Sequence, residues 1–206
     1  MNSKTKKTFL RLILAAAFLA ASAGAQAGLH EGIDAYEKGN YTAALSEFRL
    51  LADSGNAKAQ FILGLMYDQG NGVQQDYKEA ASWYLKAAEQ GFALAQFSLG
   101  MMYHNGQGVP QNYNETTKWL HKAAAQGHAM AQFYLGVMYQ NGLGVAQDYK
   151  EAASWYLKAA EQGVAQAQFN LGMMYHKGQG VPHDYNEAMK WFNRAVKQLR
   201  QEKEVL

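Results

Sequence analysis

The chain has 206 residues, 49% of them hydrophobic, which leaves room for one domain with a sizeable core and argues against global disorder. Its 20 glycines against two prolines suit many helices joined by glycine-dependent turns. The absence of cysteine excludes disulfides, thiolate metal sites, a cysteine nucleophile and a lipidated cysteine.

In chain order, Lys4, Lys6, Lys7 and Arg11 lead into the apolar run Phe9 to Ala20 and then the small-residue stretch ASAGAQA. This pattern predicts a signal peptide over residues 1–27, cleaved near Ala27, with the mature chain starting at Gly28 in the periplasm or outside the cell. The apolar run is shorter than the ~20 residues that span a bilayer, so no stable membrane insertion is expected after cleavage. Cleavage removes four positive charges and no acidic ones, turning the formal charge of +2 into −2. A weakly acidic mature chain offers no electrostatic case for nucleic acid or an anionic membrane surface.

The segment GIDAYEKGNYTAALSEFRLLADSG opens a repeat, with Tyr41, Ala44, Phe48 and Ala52 in register with Tyr77, Ala80, Tyr84 and Ala88. It lacks the longer internal loop of later units and holds Glu47 in place of a tryptophan, as suits an atypical terminal unit. Four 36-residue units follow, marked by Trp83, Trp119, Trp155 and Trp191 and by Gly64, Gly100, Gly136 and Gly172.

Within a unit, AKAQFILGLMYDQG puts Ala59, Leu63 and Tyr67 on one stripe of a helix A, with Gly64 beside it to admit a neighbour closely. DYKEAASWYLKAAEQG puts Tyr77, Ala80, Tyr84 and Ala87 on one stripe of a helix B. Asp76, Asn112, Asp148 and Asp184 stand as N-caps of helix B, each with a glutamate three residues on in a capping-box pattern. Gly91, Gly127 and Gly163 close it, as Gly55 closes the first unit. The GNGV, GQGV and GLGV segments between the helices read as tight turns, since a phosphate loop needs a preceding strand.

One helix pair cannot bury both apolar stripes, so successive pairs must stack. The expected fold is all-α: a right-handed superhelical solenoid of antiparallel helix pairs over residues 28–206, with one concave and one convex face. After Trp191 the last helix gains charge and reads as a solvated cap, or else as a docking tail.

The A-x-A-Q-F-x-L-G-x-M-Y block, the G-x-G-V loop and the Y-x-E-A-x-x-W pattern recur together over residues 29–198, and on them the chain resembles SEL-one-like repeats, relatives of the tetratricopeptide repeat. Thr116 departs from the pattern, standing where helix B has alanine elsewhere. The resemblance implies a scaffold or adaptor that binds a protein or peptide with helix A lining the concave face; the chain is expected to be monomeric. Matched onto this sequence, the face comprises Phe61, Phe97, Phe133 and Phe169 beside Leu65, Met101, Val137 and Met173, with polar rungs at Asp68, His104, Gln140 and His176.

Such an apolar trough with a polar edge suits an extended or helical peptide. The same phenylalanines equally suit packing between A helices. Ile62, Ser98, Tyr134 and Asn170 vary at one repeat position, as exposed contact residues would. The tryptophans suit packing between units, with exposure pointing instead to a second binding face.

No catalytic pattern is complete. Ser82 to Lys86 and Ser154 to Lys158 are one residue too long for S-x-x-K, and there is no G-x-S-x-G elbow or H-E-x-x-H helix. His104 and His176 lie two repeats apart, too far to share an ion when packed helices are ~8–10 Å apart. The sequence thus predicts a non-enzymatic exported scaffold without cofactor or metal. The other readings are a β-lactam- or cell-wall-active enzyme, on family association, and a secreted factor acting on a host cell.

Overall fold

The repeated pattern folds as ten α-helices among the described residues, 23–204 of a computed structural model. They are α1 (Ala23–Glu37), α2 (Tyr41–Asp53), α3 (Ala57–Gln69), α4 (Tyr77–Glu89), α5 (Ala93–Asn105), α6 (Tyr113–Ala125), α7 (Ala129–Asn141), α8 (Tyr149–Glu161), α9 (Ala165–Lys177) and α10 (Tyr185–Glu204). The predicted signal peptide lies outside the described residues except for 23–27, which begin α1. The helices form two compact bodies, one ending at Asp76 and one beginning at Tyr77.

In the first body, α1 and α2 are joined by the short turn 38–40, and the fully buried Phe48 fills the space beside Gly32. A Cβ at Gly32 would stand 2.7 Å from the Phe48 ring, so the missing side chain is what lets the two helices meet. Helix α3 packs on α2, and Gln60 Nε2 donates to the Ala52 carbonyl at 3.0 Å. The turn after α3 is tied back by Asn71, whose amide donates to the Tyr36 hydroxyl at 2.8 Å.

In the second body, α4 is followed by the pairs α5/α6, α7/α8 and α9/α10, each helix packing on the next. The A-helix glycine faces a bulky B-helix side chain within each pair. A Cβ at Gly136 would lie 2.5 Å from Tyr156, and one at Gly172 would lie 2.7 Å from Phe192. Where the smaller Leu120 takes that place, the gap at Gly100 relaxes to 3.4 Å. Thr116 is accommodated without change of topology: it is fully buried and its hydroxyl donates to the Asn112 carbonyl at 3.0 Å.

The turns explain why the period is so strict. Gly106, Gly142 and Gly178 end the A helices in the left-handed region, and the glycine two residues on also has positive φ. At Gly108 a Cβ would meet the Tyr77 carbonyl oxygen at 2.0 Å, and Gly144 and Gly180 sit against Tyr113 and Tyr149 in the same way. Each turn therefore rests on the first residue of the preceding B helix, and no side chain fits between.

The B helices depart from the capping-box expectation in one respect. Asn112, Asp148 and Asp184 cap as predicted, each carboxyl or amide oxygen accepting from the glutamate N–H three residues on at 3.0–3.1 Å. The reciprocal bond is absent there, because the cap residue's own N–H is taken by the carbonyl of Tyr103, Tyr139 or Tyr175 at the end of helix A. Glu115 and Glu187 are thereby released to pair with Lys118 and Lys190, both at 2.9 Å. Gly91, Gly127 and Gly163 close their helices with φ of 84–87°, as expected.

Candidate protein-binding face

Each A helix of the second body buries its Ala, Gln, Leu and Gly positions and leaves one strip half-exposed: Phe97, Met101 and His104 on α5, Phe133, Tyr134 and Val137 on α7, Asn170 and Met173 on α9. Phe169 and His176 of α9 are exposed outright. Most of the residues singled out from the sequence are therefore reachable from solvent here.

Between α5 and α7 the strip becomes an aromatic patch. Phe97 stacks on His128 at 4.6 Å between centroids and lies 5.9 Å from Tyr134, while His104 is 5.5 Å from Tyr113 and 6.3 Å from Tyr134. Burial holds the His104 and His128 imidazoles below their ordinary pKa. In His128 the neutral form has a structural task, since Nδ1 accepts the Ala131 backbone N–H at 3.1 Å and caps α7. His104 Nδ1 is buried and has no hydrogen-bond partner.

The four phenylalanines do not act alike. Phe61 is only 2% exposed and so belongs to the core; it is withdrawn from the candidate face, whereas Leu65 on the same helix stays half-exposed. Ile62, at the position read as variable and open, is likewise buried. Phe97 and Phe133 are shared between helices, Phe133 lying 5.3 Å from Tyr134 and 6.0 Å from Tyr156. Phe169 is 52% exposed, because no further A helix follows α9 among the described residues to cover it.

The tryptophans pack as expected. Trp83, Trp119 and Trp191 are buried and Trp155 is partly buried, each with a cation one turn on lying over its ring: Lys86, Lys122, Lys158 and Arg194, at 3.7–4.7 Å. Lys86 and Lys158, the lysines nearest in spacing to an S-x-x-K motif, are among them. His121, held below its usual pKa by burial, with the Glu151 charge opposing, bonds the Tyr139 hydroxyl at 3.2 Å.

A second polar system was not assigned a role from the sequence. Gln96, Gln132 and Gln168 are buried and donate to the carbonyls of Ala88, Ala124 and Ala160 on the preceding B helix, at 3.0–3.3 Å. Gln126 in turn donates to Gln96 Oε1 at 2.8 Å and to the Gly91 carbonyl at 2.9 Å, and Gln162 does the same to Gln132 and Gly127. The signal was present: glutamine recurs at a 36-residue interval inside an otherwise apolar stripe, and a buried amide at such a position must be satisfied. This amide chain, with the glycine contacts, fixes the spacing of the half-exposed strips.

Stacked helix pairs with such contacts define a helical-repeat protein of the tetratricopeptide-like solenoid class. The family model of the Sel1 repeat matches residues 57–92, 93–128, 129–164 and 165–198, so the chain belongs to the Sel1 repeat family. Among solved structures it is similar to a protective antigen present in uropathogenic Escherichia coli strains, with 37% identity and a TM-score of 0.81 over 96% of this chain and 41% of that one. The chain thus spans about two fifths of that antigen's length.

It is also similar to a Sel1 repeat protein from Oxalobacter formigenes, at 39% identity and TM-score 0.79 over 82% of this chain and 70% of that one. An immunity protein from Pseudomonas aeruginosa shares the fold alone, at 24% identity and TM-score 0.54 over 88% and 68%. No curated protein matches the chain. Sel1 repeats generally act as protein–protein interaction scaffolds, and the fold is typically non-enzymatic.

Proposed function

We propose that this chain is an exported scaffold that holds a protein or peptide along the half-exposed A-helix strip of its second body and catalyses no reaction. The observation that carries the reading is the patch of Phe97, His104, Tyr113, His128 and Tyr134, whose rings lie within 6.3 Å of a neighbour while the backbones beneath are locked by buried amides. Rigid aromatic anchors with a polar edge supply contact area with little loss of conformational freedom on binding. Met101 on the same strip, and Met173 on the strip of α9, adapt their shape to an apolar partner.

Export rests on the leader pattern of residues 1–27 and agrees with a chain that contains no thiol to oxidise. That a similar solenoid is a protective antigen supports a location outside the cytoplasm. Fractionation with N-terminal sequencing tests this: a mature chain beginning at Gly28 in the periplasm or medium is expected, and an uncleaved cytoplasmic chain overturns it. Recovery from the medium would favour contact with a host over a periplasmic task.

The binding site is tested by crosslinked capture with the parent protein, a Met101→Glu, His104→Glu variant, and a Leu157→Glu control on the exposed part of α8. All three must give the same helical circular dichroism. Enrichment of one partner by parent and control, lost in the double variant, is expected; equal capture by all three places binding elsewhere.

A further inference from the structure

Cleavage of the leader changes the chemistry at the start of α1. That helix runs Ala23–Glu37, so the N–H groups of residues 28–31 donate to the carbonyls of residues 24–27, four positions back. Cutting after Ala27 takes those carbonyls away and leaves a free amine on Gly28. The mature chain then opens Gly28, Leu29, His30.

A histidine third from a free amine allows four nitrogens to close on one ion: the Gly28 amine, the amide nitrogens of Leu29 and His30, and His30 Nδ1. The chain between them forms two five-membered rings and one six-membered ring with the ion, and a plane of four nitrogens is the arrangement that Cu²⁺ and Ni²⁺ favour. Moving the imidazole by one residue breaks the series. The second residue must also have an N–H to lose, which Leu29 has and a proline would lack.

The fold leaves this terminus reachable and anchors the chain directly behind it. The His30 side chain is exposed, whereas Leu29 is buried and Gly28 lies along α2, where a Cβ would stand 3.7 Å from Leu51. Gly32, pressed against the Phe48 ring, fixes α1 on α2 two residues beyond the histidine. A planar chelate therefore unwinds only the first three residues and gives up the burial of Leu29. Competition within the chain is weak, because there is no cysteine and the His176 and His183 rings, 6.4 Å apart, offer two donors rather than four.

We propose that leader cleavage creates a Cu²⁺ site at the mature amino terminus, formed by the backbone of residues 28–30 and the His30 imidazole. The ion displaces both amide protons and any proton on the amine to solvent, and with two amidate nitrogens the chelate is uncharged. This rests on the cleavage at Ala27 proposed above. The expectation of a metal-free chain came from side-chain ligands alone, and this site exists only once the leader is gone.

The full chain is expressed without an affinity tag and its mature form is purified from the periplasm or medium, where intact mass gives the first residue. Titration with Cu²⁺ is expected to fill one site with the visible absorption of a planar four-nitrogen complex, and Zn²⁺, which favours a tetrahedron, is not expected to compete. His30→Gln should weaken Cu²⁺ binding more than ~100-fold, beyond the cost of losing an outer partner of a ligand. A serine inserted after Gly28 keeps every side chain and should abolish the same spectrum. A chain that begins at Gly28 and binds no Cu²⁺, or whose binding survives either change, overturns the site. A chain that begins elsewhere overturns the cleavage reading and the site with it.

Discussion

Gly136 and Gly100 occupy the same repeat position but face different neighbours, Tyr156 at 2.5 Å and Leu120 at 3.4 Å from a built Cβ. Gly136→Ala is therefore expected to destabilise the protein by about 1–3 kcal/mol through overpacking, and Gly100→Ala by less than about 1 kcal/mol, read from urea midpoints. A second residue-scale effect depends on pH. His104, His121 and His128 are all held below the ordinary 6.5, so the folded state binds fewer protons than the unfolded chain as pH falls through that value. Their contribution is fully present above pH 6.5 and is lost below it. His128 adds a specific loss, since protonated Nδ1 no longer accepts the Ala131 N–H. Asn56 caps α3 from the equivalent position at 3.0 Å without titrating. His128→Asn is thus expected to lessen the drop in Tm between pH 7.5 and 5.5, and an unchanged drop would show that the cap is not its source.

Between elements, the buried glutamines are the connection that propensity and hydrophobic pattern do not supply. Gln132 serves two neighbours, donating to Ala124 on α6 and accepting from Gln162 at the end of α8. Gln168 donates to Ala160 in the same way, but its Oε1 accepts nothing; Gln198, one period after Gln162, lies along Gly163 instead. Gln132→Leu removes two hydrogen bonds whose other partners each keep one, the Ala124 carbonyl from the Gly127 N–H and the Gln162 amide to the Gly127 carbonyl, and is expected to cost about 1–3 kcal/mol; Gln168→Leu removes one such bond and costs roughly 1 kcal/mol less. Chemical denaturation of the two variants checks the difference, and equal losses would mean that the Gln132–Gln162 bond adds nothing.

At the scale of the molecule, each helix of the second body packs mainly on its neighbours in sequence, so α9 and α10 are held by α8 from one side only. Stability in such an array is a sum of unit and neighbour terms. Gly172→Ala, whose Cβ meets Phe192 at 2.7 Å, is expected to release this last pair before the rest. Hydrogen exchange should show protection falling across residues 165–200 while residues 93–161 keep theirs. Uniform loss along the second body would instead show that it unfolds as one unit.

The helix pairs, their caps and their period were legible because each rests on local chemistry: a 3.6-residue apolar stripe, a side chain that caps its own helix, a glycine where φ must be positive. The candidate face was legible in part, since helical spacing places Phe97, Met101 and His104 on one strip. Spacing alone could not tell buried Phe61 from exposed Phe169, which stand at the same repeat position and differ only in what surrounds them. Nor could it show that the cap N–H prefers a tyrosine carbonyl to its own glutamate, or that Gln126 reaches Gln96 thirty residues away. By itself the sequence determined the repeat, because every unit carries its own signals. Only the tertiary structure decided which side chains remain for a partner, because exposure depends on the neighbouring helix, and at α10 the chain's own repeats leave Tyr185, Met189, Val196 and Leu199 uncovered.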